Sequence, residues 1–262
     1  MHCLLKKQAY TIAVAVGFFT RVTNFNARSG INVSYTTWHF SLSTFAFLNF
    51  FAHFYFDHRL EQHPYNTGLV LPDFLRNFLP GNRVRVEQLA PAQGDSEVQA
   101  LWEGCLMHLE RDRHFHGSAY FKEADAALKE LFRREELGKT VPRTWLAAHL
   151  LVELMLDRVL MKQAPTLLDA FYHSLRNTPP TATTRFLEDA QLDAGTFLQR
   201  FERFTTVAYL YHYPDDGAMT YSLMRIYMQA KVTPEWTLAQ QEAVRNLLPE
   251  AEAIVTERIS LL

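Results

Sequence analysis

Three histidines and an aspartate fall within nine positions of the segment EGCLMHLERDRHFHGSAYF, residues 103–121. On a helix, residues four positions apart share a face, so His108, Asp112 and His116 are expected to form one row. Imidazole nitrogens and carboxylate oxygens are ligands for divalent ions such as Mn²⁺, Fe²⁺, Zn²⁺ or Mg²⁺. The spacing therefore predicts a metal site on this helix, with a solvated charged face as the alternative.

A second row with the same spacing lies in HLLVELMLD, where His149, Glu153 and Asp157 are separated by leucine, valine and methionine. A helix this apolar is expected to be buried, and an unpaired carboxylate is costly to bury. Glu153 and Asp157 therefore need partners. These are either a bound ion or arginines, for instance Arg158 or Arg111, in a structural ion pair.

Two single polar residues interrupt other apolar segments, namely His53 in NFFAHFYF and Asp73 in GLVLPDFL. Each one alone is most simply a core residue with a satisfied polar group. Polar side chains in several separate apolar helices are, however, typical of a site built inside a helical bundle. We therefore expect one buried centre, with His116 and His149 as secondary members. The predicted metal ligands are His53, Asp73, His108, Asp112, Glu153, Asp157, His116 and His149.

Helical periodicity runs through most of the chain after about Ser43, and no segment has a convincing strand pattern or internal repeat. Four helices are marked by caps and breaks: one around Leu71 to Phe78, one capped by Ser96 that runs to His114, one ending at Gly138, and one opened by Pro142. The prediction is an all-α fold with a single helical-bundle domain over residues 48–262.

Residues 1–47 differ from the rest of the chain. Lys6 and Lys7 precede an apolar run from Ala9 to Phe19, which is similar to a signal peptide but is not followed directly by a small-residue cleavage site. The run is also too short to span a bilayer. We interpret residues 1–47 as an N-terminal extension that is poorly ordered or targeting-like.

Composition excludes several classes of function. The net charge of −2 gives no basic field for nucleic acid, and no stable membrane association is expected. Cys3 and Cys105 are the only cysteines, so neither a disulfide framework nor a thiolate metal site is indicated, and a reducing, cytoplasmic location is favoured. The sequence has no phosphate-binding glycine loop, no G-x-S-x-G turn and no H-E-x-x-H motif.

The polar blocks resemble those of bacterial acyl carrier protein phosphodiesterases, also called holo-acyl-carrier-protein hydrolases. NFFAH is similar to the Asn-Phe-Leu-Ala-His with which those chains begin, and GLVLPDF is similar to their Gly-x-Leu-x-x-Asp-Phe segment. GCLMHLERD resembles their Gly-x-x-x-His-x-x-x-Asp element. ELMLD resembles their Asp-x-x-x-Asp helix, with Glu153 in place of the first aspartate. The resemblance begins near residue 48, and after Asp157 it concerns only the helical pattern.

The chain departs from the family pattern at three positions. His116 stands where an aspartate is expected, Leu109 where an arginine is expected, and Arg158 where a histidine is expected. These changes are compatible with a metal site and leave the substrate open. A phosphohydrolase acting on a small phosphoester, or a non-catalytic helical protein that binds a metal or a partner, is therefore the alternative.

The resemblance implies an all-helical fold distantly related to HD-domain metal phosphohydrolases. It also implies a divalent ion, commonly manganese, and hydrolysis of the phosphodiester that joins 4'-phosphopantetheine to holo-acyl carrier protein. Asp73 and Asp112 are then the expected catalytic carboxylates. An acidic carrier protein needs a basic rim on its enzyme, and the candidates are Arg76, Arg83, Arg85, Arg111 and Arg113.

Overall fold

The computed structural model describes residues 49–79, 85–89, 94–229 and 235–262. These residues belong to one unit of the chain, Thr44–Leu262. They form helices and connections, and none of them lies in a β-strand, so the described part of the chain is all-α as predicted. The extension predicted over residues 1–47 lies outside the described residues.

The described residues contain eleven α-helices. In chain order they are α1 Phe50–Asp57, α2 His63–Gly68, α3 Leu71–Phe78, α4 Ser96–Gly117, α5 Ala119–Arg134, α6 Thr144–Gln163, α7 Pro165–Asn177, α8 Pro180–Asp189, α9 Ala194–Val207, α10 Asp216–Gln229 and α11 Leu238–Arg258. Short 3₁₀ turns join or extend some of them. None of these helices has the length and apolar content needed to cross a bilayer.

Helix α6 lies at the centre of the fold. Every residue from Leu150 to Met161 is buried, and the helix packs against α1, α5, α7, α10 and α11. Its apolar residues surround the helix on all sides, which is typical of a helix without a solvent face. The burial predicted for Glu153 and Asp157 is therefore confirmed, because both side chains lie on this helix.

Helices α2 and α4 pack closely because a glycine lies on each side of their contact. A Cβ atom on Gly104 would lie 2.1 Å from the carbonyl oxygen of Tyr65, and one on Gly68 would lie 2.2 Å from that of Leu101. No side chain larger than hydrogen fits at either position without moving backbone. The two glycines thus fix the distance between α4 and the chain that leads into α3.

The predicted boundaries of α4 need one correction. The helix begins at Ser96, but its N-cap is Asp95, whose carboxylate accepts hydrogen bonds from the backbone N–H groups of Glu97 and Val98. The prediction that Ser96 caps the helix is wrong by one residue, because the side-chain oxygen of Asp95 accepts from these free amides. The helix continues beyond His114 to Gly117, so the row that includes His116 lies on one uninterrupted helix. The short helix predicted at Leu71 to Phe78 is confirmed.

Candidate metal centre

His53 lies in the middle of α1, whose residues from Phe50 to Phe54 are all buried. Aromatic side chains cover most of this short helix, so the imidazole is enclosed with them and is only 5% exposed. Burial is the main reason that the pKa of His53 falls well below its ordinary value, and the neighbouring His108 adds to the effect. The ring is therefore neutral, which is the form that binds metal ions.

Asp73 lies in the first turn of α3, after Leu71 and Pro72. Its side chain is buried, and burial raises the pKa of the carboxyl group. The nearby His108 acts in the opposite direction because a positive charge there would favour the ionised carboxylate. A buried carboxylate without a full set of hydrogen bonds is costly, so this position favours a cationic partner.

His53, Asp73 and His108 meet although they come from three different helices. One ligand atom from each residue lies within 4.8 Å of the others, and all three side chains are buried. The rings of His53 and His108 are 4.0 Å apart between centroids, and Nε2 of His108 lies 3.9 Å from Oδ1 of Asp73. We call these three residues the inner cluster.

A backbone carbonyl fixes the tautomer of His108. Nδ1 of this ring lies 2.8 Å from the carbonyl oxygen of Leu69, and that distance is a hydrogen bond. A carbonyl only accepts, so Nδ1 donates its hydrogen and the neutral ring keeps a free electron pair on Nε2, the atom that faces Asp73. This is the arrangement that orients metal-binding histidines in proteins.

The inner cluster leaves one ligand atom without a hydrogen-bond partner. Nε2 of His53 is buried and makes no hydrogen bond with the described residues. Buried polar atoms in folded proteins are nearly always paired, so an unpaired nitrogen next to a carboxylate and a second imidazole is suited to a ligand such as a metal ion. Two neutral imidazoles and one carboxylate fit a divalent ion such as Mn²⁺, Fe²⁺ or Zn²⁺.

His116, His149 and Glu153 form a second group, which we call the outer cluster. Nε2 of His149 lies 3.2 Å from Oε1 of Glu153, and Nε2 of His116 lies 3.6 Å from the same oxygen. The two rings are stacked, with centroids 5.2 Å apart and an interplanar angle of 9°. Glu153 is buried, whereas the two histidine side chains are about one-third exposed, at 33% and 35%.

Asp112 lies between the two clusters on α4. Its Oδ1 atom is 3.2 Å from Nε2 of His116, and its side chain is partly exposed. Burial opposes the ionised form of Asp112, but the hydrogen bond with His116 and the positive charge of that ring outweigh it, so its pKa is lowered. The same hydrogen bond is the main reason that the pKa of His116 is raised.

Asp157 occupies a different environment from the other predicted ligands. Its two carboxylate oxygens accept hydrogen bonds from the backbone N–H groups of Phe51, at 3.1 Å, and Ala52, at 2.7 Å. These are free amides of the first turn of α1, where Asn49 provides no side-chain cap. Asp157 therefore holds the N-terminus of the helix that carries His53. Burial raises the pKa of Asp157, and the two amide donors oppose that rise.

Arg158, which stands where the family pattern has a histidine, faces away from both clusters. It is buried and forms ion pairs with Asp216, at 2.7 Å, and Glu252, at 3.0 Å. The sequence left open whether this arginine pairs with Glu153 or Asp157. The structure gives it partners from α10 and α11 instead.

A cavity of about 190 Å³ adjoins His53 on its solvent side. Phe56, Phe115 and Leu156 contribute apolar surface, and Asp57 and Arg111 contribute charge. Arg111 donates two parallel hydrogen bonds to the Asp57 carboxylate, from Nε and a terminal nitrogen, which fixes the guanidinium at the edge of the cavity. Sequence reasoning proposed Arg111 for a rim but missed Asp57, whose spacing of four from His53 on α1 was the available signal.

Seven of the eight predicted metal ligands thus lie in or between the two clusters, and Asp157 supports the helix next to them. Comparisons with protein-family models, curated proteins and solved structures gave no significant match for this chain.

Proposed function

We propose that this protein is a metal-dependent phosphodiesterase with an HD-domain-like helical bundle, and that its substrate is holo-acyl carrier protein. The observation that carries the proposal is the inner cluster. His53, Asp73 and His108 come from separate apolar helices, yet their ligand atoms lie within 4.8 Å of one another in the interior. The same three residues belong to the sequence blocks that resemble the acyl carrier protein phosphodiesterases.

The inner cluster would hold the ion through Nε2 of His108, a carboxylate oxygen of Asp73 and a nitrogen of His53. Manganese is the expected metal, and Fe²⁺, Zn²⁺ or Mg²⁺ are alternatives. A bound divalent ion neutralises the charge of a phosphodiester and makes water a better nucleophile at neutral pH. Asp73 supplies the negative charge that retains the ion, and Leu69 keeps the His108 ring in its binding orientation through the bond to Nδ1.

Asp112 is the carboxylate on the more exposed side of the inner cluster. Its side chain is 41% exposed, compared with 7% for Asp73, so water and substrate reach it more easily. The lowered pKa keeps Asp112 ionised at neutral pH, and an ionised oxygen can accept a proton from an attacking water. We therefore assign Asp112 to orienting that water and Asp73 to holding the ion.

The cavity beside His53 gives the organic part of the substrate a place to bind. It combines apolar side chains with the fixed guanidinium of Arg111, which suits a flexible polar arm that ends in a phosphate. Its volume of about 190 Å³ accommodates part of such an arm, and the carrier protein would stay outside. Arg76, Arg85 and Arg113 are exposed and available for an acidic partner, while Arg83 lies outside the described residues.

A direct test uses purified protein that has been stripped of metal and then supplied with Mn²⁺ and holo-acyl carrier protein. We expect the carrier protein to lose the mass of phosphopantetheine only when Mn²⁺ is present. Asp73→Ala and Asp112→Ala should each lower the rate at least about 100-fold, because replacing even an outer-shell partner of a metal ligand costs ~10–100-fold. The helical content of both variants should be unchanged.

Asp189→Ala is a matched control, because Asp189 is an exposed carboxylate at the end of α8. Its rate should equal that of the wild-type protein. Full activity in Asp73→Ala would reject the assignment. Hydrolysis of a small phosphodiester, without release of phosphopantetheine from the carrier protein, would favour the alternative phosphohydrolase. The departures from the family pattern at Leu109 and His116 support that alternative.

A further inference from the structure

The outer cluster has separations that fit a metal site. The distances from Oε1 of Glu153 to Nε2 of His149 and of His116 are 3.2 and 3.6 Å. Ligand atoms at about 2.1 Å from a tetrahedral ion are separated by about 3.4 Å, which falls between these two values. A hydrogen bond from nitrogen to oxygen is typically ~2.7–3.2 Å, so the contact with His116 is too long to be one.

The orientation of the two imidazoles supports the same interpretation. The rings are nearly parallel, and both direct Nε2 towards the same carboxylate oxygen. One carboxylate oxygen can accept from two N–H groups, and with an ion bound the same oxygen and two nitrogen electron pairs would serve as its ligands, His116 then giving up its hydrogen bond to Asp112. All three ligand atoms lie within 4.8 Å of one another.

Glu153 also has a buried atom that the surrounding residues leave unsatisfied. Its Oε2 atom is buried and has no hydrogen-bond partner among the described residues, and the helix that carries it is buried from Leu150 to Met161. Leaving a charged oxygen in this state is costly unless a cation compensates for it. The two partly exposed histidines keep the opposite side accessible, so an ion held there would retain positions for water or a phosphate oxygen.

We propose that His116, His149 and Glu153 bind a second divalent cation, separate from the ion proposed for the inner cluster. The chemistry of this set, two imidazole nitrogens and one carboxylate, suits Mn²⁺, Fe²⁺ or Zn²⁺. Asp112 lies 3.2 Å from Nε2 of His116, on the helix that also carries His108. The proposal concerns ion binding, and only its catalytic use, in which two ions share the charge of one phosphodiester, rests on the proposed function.

The test counts the Mn²⁺ ions that each chain retains, by equilibrium dialysis and metal analysis of the full-length protein. Wild-type protein should bind two ions, whereas His149→Ala and Asp73→Ala should each bind one, because each removes a ligand from a different cluster. The double variant should bind none. His114→Ala is the matched control, since His114 is an exposed histidine on the same helix as His116 and belongs to neither cluster. It should bind two ions.

Binding and hydrolysis separate the two proposals. Two ions in the wild-type protein, with one lost in His149→Ala, would support the second site even if no phosphodiester were cleaved. A single ion that is lost in Asp73→Ala and kept in His149→Ala would overturn the second site and leave the inner cluster intact. His116→Gln, at a partly exposed position, repeats the measurement in case His149→Ala does not fold, and two ions in both folded variants would also overturn it.

Discussion

Two buried polar regions of this protein differ in how completely their hydrogen bonds are formed. Between α2 and α7, Asn66 donates to the carbonyl of Arg59 and to Oγ of Ser174, and it accepts from the N–H of Arg59. Thr178 shares a hydrogen bond of 2.6 Å with Thr67. We call these side chains the α2–α7 network. Every one of its buried polar groups has a partner within the chain.

In the two clusters between α1, α3, α4 and α6, the hydrogen bonds of the buried polar groups are less completely formed. Nε2 of His53 and Oε2 of Glu153 are buried and make no hydrogen bond within the described part of the chain. The α2–α7 network therefore has the properties of a structural element, because its groups satisfy one another when the chain folds. The clusters have those of a binding site, because the described residues leave some of their buried polar atoms without a partner. Substitutions in the two regions should consequently affect different quantities.

The largest effect on both regions is expected from Gly104→Ala, since α2 belongs to the network and α4 carries His108. A Cβ atom there would lie 2.1 Å from the Tyr65 carbonyl oxygen, so the helices must separate. We expect a loss of about 3 kcal/mol in the free energy of unfolding and a Mn²⁺ affinity lowered about tenfold. Urea unfolding and Mn²⁺ titration measure the two quantities.

Gly117→Ala is the control for this substitution, because Gly117 ends the same helix and nothing lies within 4 Å of a Cβ placed there. Alanine should be neutral at that position or stabilise the helix by up to ~1 kcal/mol. Equal stability of the two variants would show that α2 and α4 tolerate a larger separation, and the glycine contact would then not position His108.

A smaller effect, confined to stability, is expected for Asn66→Ala. The change leaves the Arg59 N–H without its Asn66 acceptor and removes one donor from the Ser174 hydroxyl and one from the Arg59 carbonyl, and we expect a loss of about 2 kcal/mol in the free energy of unfolding. The gain in stability on adding Mn²⁺ should match that of the wild-type protein. Gln99→Ala, which removes an exposed hydrogen bond to Glu103, should change stability by less than ~0.5 kcal/mol. Loss of the Mn²⁺ effect in Asn66→Ala would contradict the separation of the two regions.

Spacing along the sequence predicted the helices that carry the site. It did not predict that the polar residues of each row are divided between different groups of contacts. His108, Asp112 and His116 do share a face of α4, and His149, Glu153 and Asp157 share a face of α6. A helix rises about 6 Å over four residues, so a row of three extends over about 12 Å. This length exceeds the ligand shell of one ion, in which atoms lie about 2–2.5 Å from the metal. The two ends of each row therefore contact different neighbours.

Contacts between side chains and backbone groups could not be predicted from the sequence. The Leu69 carbonyl that orients His108 has no side-chain signature, and neither do the two amides of α1 that bind Asp157. Gly68 and Gly104 were recognised as members of sequence blocks, but their role depends on a tertiary approach of two helices. Composition and periodicity predict which groups are buried, whereas the tertiary fold determines which atoms contact them.

Among the substitutions at buried sites, Asp73→Asn in the metal-free protein is expected to change stability least. It can be compared directly with Asp157→Asn, the same change at another buried aspartate. Asp73 is a buried carboxylate whose pKa is raised by burial, and Nε2 of His108 lies 3.9 Å from its Oδ1 atom. Removing the charge relieves a desolvation cost, so we expect a change of less than about 1 kcal/mol in either direction. Asp157→Asn should instead lose about 2 kcal/mol, because one of its two amide donors would then face an NH₂ group. Urea unfolding of both variants with a chelator present makes the comparison. If Asp73→Asn lost as much stability as Asp157→Asn, Asp73 would be a structural residue, and the assignment of the inner cluster as a metal site would be contradicted.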